Sequence, residues 1–91
     1  MLRLRLRVQG AVQGVGFRWF ARETAHRLGV SGWVRNCADG SVEIAVSGDD
    51  DLVEQFTAAI ARGPAHASVT DVARDPLGMD ETLARPFEIR R

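Results

Sequence analysis

Six consecutive residues, Gln13, Gly14, Val15, Gly16, Phe17 and Arg18, combine features suited to binding a small dianion. Gly14 and Gly16 permit backbone conformations that turn successive N–H groups inward and let a ligand approach closely. Arg18 adds a planar, permanently charged fork that matches two phosphate oxygens. The hydrophobic period changes at Phe17, so the loop feeds a helix N-terminus with unsatisfied donors and partial positive charge. The same residues also read as a glycine-rich turn with a surface arginine. They are not a Walker loop, because the Gly-Lys-Ser/Thr ending is missing.

A second candidate is Asn36, which ends the stretch Gly32-Trp33-Val34-Arg35-Asn36. It reads either as a turn-former or as an amide facing the loop. In the second case its carbonyl oxygen can hold a water and its NH2 a phosphate oxygen. Trp33 is read as structural, packed against the sheet or the first helix.

These residues need elements to position them. Leu2, Leu4, Leu6 and Val8 alternate with Arg3, Arg5 and Arg7, the period of a half-buried strand. Phe17, Phe20, Ala21, Thr24, Ala25 and Leu28 then share one helical face, and Gly29 ends that helix. Val30 to Cys37 is expected as a strand, Ala38-Asp39-Gly40 as a hairpin turn, and Val42 to Val46 as a third strand. Asp49-Asp50-Asp51 supplies an N-cap and favourable charge for a second helix, which Gly63-Pro64 closes. A weaker strand at Ala67 to Asp75 and a short one at Phe87 to Arg90 complete the order. The expected class is α+β, a ferredoxin-like sandwich: a four- to five-stranded antiparallel sheet with both helices on one face. In this reading the first and second strands are neighbours, which brings the end of the second opposite the loop after the first. All 91 residues are assigned to one domain.

Composition excludes several alternatives. Twelve basic and twelve acidic residues cancel, so no global field attracts nucleic acid or anionic lipid. All the basic residues are arginine, which removes every mechanism that needs a lysine. The single Cys37 cannot form an internal disulfide, and His26 and His66 lack metal-ligand spacing, so no metal is expected. A cysteine phosphatase needs arginine six positions after its cysteine, and Glu43 stands there. Cys37 is therefore read as a small, half-buried filler. Asp49-x-Asp51-x-Val53 matches an aspartyl-phosphatase pattern, but the helix cap explains it and the larger domain and the lysine of that chemistry are missing. An RNA-recognition module would stack bases on aromatics over the open sheet face. Here that face is expected to carry Arg3, Arg5, Arg7, Glu43, Ala45 and Ser47, with the arginines paired to acids and no aromatic. No apolar run approaches the roughly 18 residues of a membrane helix, and Leu2 to Val8 does not resemble a signal peptide. A cytoplasmic location is expected.

The stretch Gly10-Ala11-Val12-Gln13-Gly14-Val15-Gly16-Phe17-Arg18 resembles the first signature of the acylphosphatases. Gly32-Trp33-Val34-Arg35-Asn36, with Asp39-Gly40 and Val42-Glu43, resembles the second. Gly63-Pro64 and Phe87-x-Ile89 also fall where that family has similar residues. The likeness implies hydrolysis of carboxyl-phosphate anhydrides without metal or cofactor. It implies that Arg18 binds phosphate and Asn36 orients water. It further implies a small-molecule acyl phosphate as substrate, inorganic phosphate as product and competitive inhibitor, no nucleic-acid or membrane partner, and a monomer. The leading domain of hydrogenase-maturation carbamoyltransferases is related, and the short chain is read against that assignment. Such a site suits anhydrides because the leaving carboxylate, whose conjugate acid has a pKa near ~4, departs without a general acid. The acyl side has no clear residue signal.

Overall fold

Alternation at the start of the chain produces β1 (Leu2–Ala11), with Leu4, Leu6 and Val8 buried in the core. The structure, a computed structural model, describes residues 1–91. After the glycine loop, α1 (Phe17–Leu28) buries Phe17, Ala21, Thr24 and Ala25, four of the six residues expected on its inner face. Phe20 and Leu28 pack at the edge of the same core. Gly29 closes α1 in the left-handed conformation, its N–H donating to the Ala25 carbonyl at 2.8 Å. There follow β2 (Ser31–Asn36), β3 (Val42–Gly48), α2 (Asp50–Arg62), β4 (Ser68–Pro76) and β5 (Glu88–Ile89). Asp49 occupies the N-cap of α2 without a side-chain hydrogen bond, so the aspartate run acts there through charge.

The strands lie in the order β4-β1-β3-β2-β5. β1, β3, β2 and β4 pair antiparallel, and both helices pack on one face, the ferredoxin-like α+β arrangement. Three expectations need correction. The sheet is mixed, because β5 runs parallel to β2. The reason is the path of the chain. β4 ends opposite Leu4, at the end of the sheet where β1 begins. The connection then crosses the open face, with Leu77 N–H donating to the Arg3 carbonyl and Gly32 N–H donating to the Ala84 carbonyl. A strand entered from that end must run the same way as β2.

β1 and β2 are not neighbours either, since β3 lies between them and pairs with both. Nor is the open face free of aromatics. Trp33 sits opposite Ala45, two residues from Arg35, and so points away from the helices. It is buried with Ala45 and Leu77 beneath the crossing segment, with Leu83 packed alongside. The Arg35 and Arg90 guanidiniums lie 5.5 and 5.1 Å from the centre of its ring. A ring covered in this way offers no face to a stacked base.

The arginines of β1 find different partners. Arg5 and Arg35 both pair with Glu43, while Arg7 lies 3.6 Å from Asp39. Arg3 instead donates to the Gly78 and Glu81 carbonyls, which ties the crossing segment down. Burial alone would raise the pKa of Glu43, but hydrogen bonds and charge from Arg35 and Arg5 outweigh it and hold the carboxyl below its ordinary range.

Candidate active site

β1 and β2 run parallel to each other on either side of β3, so their C-terminal ends meet one edge of the sheet about 10 Å apart. The glycine loop leaves β1 at that edge, and Asn36 is the last residue of β2, opposite Val42. The expected meeting of Asn36 with the loop therefore occurs, across an intervening strand. A spacing of two strands leaves room for a ligand that direct neighbours would not.

A cleft of about 200 Å³ opens there. Asn36 and Ile89 line it from the sheet, Val12, Gly14 and Gly16 from the loop, and Phe17, Arg18 and Trp19 from the helix. Gly14 and Gly16 both have φ of +76°, a conformation L side chains rarely adopt. A Cβ at either would meet nothing within 4 Å, so the requirement for glycine is one of backbone conformation. Gly16 is the N-cap of α1, and the first helical bond runs from Phe20 N–H to its carbonyl at 3.0 Å. The preceding N–H groups at the helix start thus have no intrahelical acceptor. No side chain caps them, and no acidic residue stands in the first turn. The ring of Phe17 is buried in the core, so this residue can offer the cleft only its backbone N–H.

Arg18 donates to the Arg90 carbonyl at 3.4 Å and takes part in no ion pair. Its charge is anchored loosely and not neutralised. The Oδ1 of Asn36 is buried without a hydrogen-bond partner. Leaving such an acceptor unsatisfied costs about 1–3 kcal/mol, which a bound donor recovers. Arg18 is the only ionisable residue lining the cleft.

Two residues of the expected cradle turn their side chains elsewhere. The amide of Gln13 donates to the Cys37 and Ser41 carbonyls, both at 2.8 Å, and so clamps the loop to the turn after Asn36. Val15 packs against the core. Val12, Trp19 and Ile89 are lining residues that the sequence reading did not single out. Trp19 carried a signal, since it stands off the apolar stripe of α1 and is 59% exposed. Cys37 is half-buried beside the turn. No group of three or more His, Cys, Asp and Glu residues converges on a point where a metal could be held. No helix is long and apolar enough to cross a membrane.

A larger cleft of about 290 Å³ lies at the opposite end of α1, around His26, Gly29 and Pro86. It faces the carbonyl end of the helix, whose partial negative charge disfavours an anion. His26 Nε2 is already held by the Phe87 carbonyl at 2.8 Å. The smaller cleft instead meets the opposite end of α1, where the N–H groups are uncapped and Arg18 stands.

An uncapped helix start, a glycine loop and an unpaired arginine on a ferredoxin-like sandwich fit the class of phosphate-handling proteins. Comparison with known proteins narrows the class. The family model described as Acylphosphatase matches residues 4–89. The chain is 44% identical over 91 residues to the acylphosphatase of Bifidobacterium longum, covering 100% of this chain and 94% of that one. It is 44% identical over 88 residues to that of Thermotoga maritima, covering 97% and 92%. Among solved structures, the acylphosphatase from Bacillus subtilis superposes with a TM-score of 0.92 at 37% identity, covering 100% of both chains. T. kodakarensis HypF superposes at 0.85 with 28% identity, over 98% of this chain but only 12% of that one. The chain belongs to the acylphosphatase family, hydrolases acting on acyl phosphates.

Proposed function

We propose that the protein hydrolyses the carboxyl-phosphate anhydride of acyl phosphates by in-line attack of water, with Arg18 holding the phosphoryl group and Asn36 orienting the water. The observation that carries this reading is the pairing of an unneutralised Arg18 with an unpartnered, buried Asn36 Oδ1 in one cleft. The phosphoryl oxygens receive the N–H groups of the loop and of the first turn of α1, together with the Arg18 fork. The Asn36 carbonyl accepts a hydrogen bond from the water, directing a lone pair at phosphorus, and its NH2 reaches a phosphoryl oxygen. As the phosphorus–bridging oxygen bond breaks, the electron pair leaves on the carboxylate. Charge on the equatorial oxygens meets donors already in place, so catalysis is positioning and electrostatic stabilisation.

No lining residue acts as a general acid, and none is needed for a carboxylate leaving group. The substrate phosphoryl group accepts the proton of the water. A phosphate ester would expel an alkoxide and finds no proton donor in the cleft, so anhydrides are the substrate class. In the same reading Gln13 and Val15 shape the loop, residues 1–91 act as one domain, and the protein is a cytoplasmic monomer. Inorganic phosphate occupies the same donors as product and competitive inhibitor.

The test is hydrolysis of acetyl phosphate and benzoyl phosphate with a chelator present. Turnover of both, with competitive inhibition by inorganic phosphate, is expected. Turnover of neither would sink the enzymatic reading. The kcat/KM profile should also lack a limb from an enzyme acid or base between about pH 5 and 9.

A further inference from the structure

Trp19 projects from the first turn of α1 beside Arg18 and lines the cleft, yet 59% of it is exposed. Lone exposed aromatics are common and by themselves mean little. This one differs from the other apolar residues around the cleft. Val12 and Phe17 are 1% exposed and belong to the core, and Ile89 is partly buried against it. Trp19 makes no stacking or cation–π contact, whereas Trp33 is flanked by two guanidiniums. A large, flat, unengaged ring therefore borders the phosphate donors.

In-line displacement decides which part of a substrate meets that ring. The water held by Asn36 approaches from the sheet side, so the leaving carboxylate departs on the side away from Asn36. Trp19 comes from the helix, whereas Asn36 comes from the sheet. We infer that Trp19 is the platform for the acyl group and gives the enzyme a preference for acyl phosphates with flat or extended apolar acyl groups over acetyl phosphate. An aromatic acyl group can stack on the indole and bury apolar area, and a single methyl cannot. Because the contact is with a part of the substrate that does not react, it lowers KM for the larger substrate more than it raises kcat.

This inference rests on the proposed hydrolysis and is tested by a ratio. kcat/KM is measured for benzoyl phosphate and acetyl phosphate in the wild type, Trp19→Gln, Trp19→Ala and Trp19→Phe. The benzoyl-to-acetyl ratio should fall about five- to tenfold in the Gln and Ala variants, mainly through KM for benzoyl phosphate. In the Phe variant it should stay within about threefold of the wild type. An unchanged ratio in the Gln and Ala variants, whatever happens to absolute rates, would overturn the platform. A wild type inert toward both compounds would overturn the hydrolysis beneath it instead.

Discussion

The two helices of this fold begin in opposite ways. α2 starts from Asp49 with Asp50 and Asp51 in its first turn, so its positive end is answered by its own side chains, and Asp50 also takes the chain's amino terminus at 3.1 Å. α1 starts from a left-handed glycine, has no acid in its first turn and adds an arginine that no carboxylate neutralises. Both ends have the same dipole and the same unsatisfied donors. What differs is that one end is filled from within the chain and the other is not, which in the proposed mechanism leaves it for the substrate's phosphoryl group. Arg5 and Arg35 point the same way, since they converge on Glu43 and are spent on holding β1, β2 and β3 together.

The largest effect expected from this contrast is at Arg18. Arg18→Ala should lower kcat/KM about 10³-fold, roughly 4 kcal/mol, and inhibition by inorganic phosphate should weaken with it. Phosphate inhibition unchanged in that variant would show that the loop alone holds the anion. The second test gives α1 the start that α2 has. A Cβ at Gly16 meets nothing within 4 Å, and Asp tolerates left-handed backbone better than most residues. Gly16→Asp should therefore fold and lose phosphate affinity about 10²-fold, with a smaller loss in Gly16→Asn, which lacks the charge. Equal losses in the two variants would mean that backbone geometry, not electrostatics, sets the affinity.

Next comes the arginine cluster on the open face. Glu43→Gln should cost about 2 kcal/mol of stability in chemical denaturation, below the range for a fully buried pair because the arginine partners are part-exposed. The kcat of the folded enzyme should change less than about threefold. The pH dependence follows from the same residue. Because the folded-state pKa of Glu43 lies below its ordinary value of 4.5, its contribution is fully present above that value. It is lost as pH falls further, through the folded pKa. The variant should show a shallower loss of stability in acid than the wild type, and identical acid profiles would remove Glu43 from the account. The smallest effect is at the filled helix end, where Asp51→Asn should cost about 0.5 kcal/mol in stability and leave turnover unchanged.

Much of this was open to a reading of the residues in order, and the rest fails for identifiable reasons. The loop, α1 and its glycine stop follow from local rules, because glycine conformation, helical period and capping act within a few residues. Strand order does not follow from local rules. That β3 separates β1 from β2 depends on pairings between distant segments, and the assumed contact of β1 with β2 failed although the conclusion drawn from it held. The direction of β5 was likewise hidden, since it is set by where β4 stops and by a crossing segment without periodicity. Trp33 was legible in principle. Val34 faces the core, so alternation sends Trp33 and Arg35 to the other side. Gln13 shows a further limit, for its place in the loop was read correctly while its amide turns toward Cys37 and Ser41.

In the proposed mechanism the labour is divided between Arg18, which binds, and Asn36, which aims the water. Steady-state kinetics of Asn36→Ala, with the inhibition constant for inorganic phosphate measured on the same sample, tests that division most directly. A fall in kcat of about 10²-fold or more is expected, with an inhibition constant within about threefold of the wild type. A folded variant that keeps its rate, or one whose phosphate inhibition weakens in step with its rate, would contradict it.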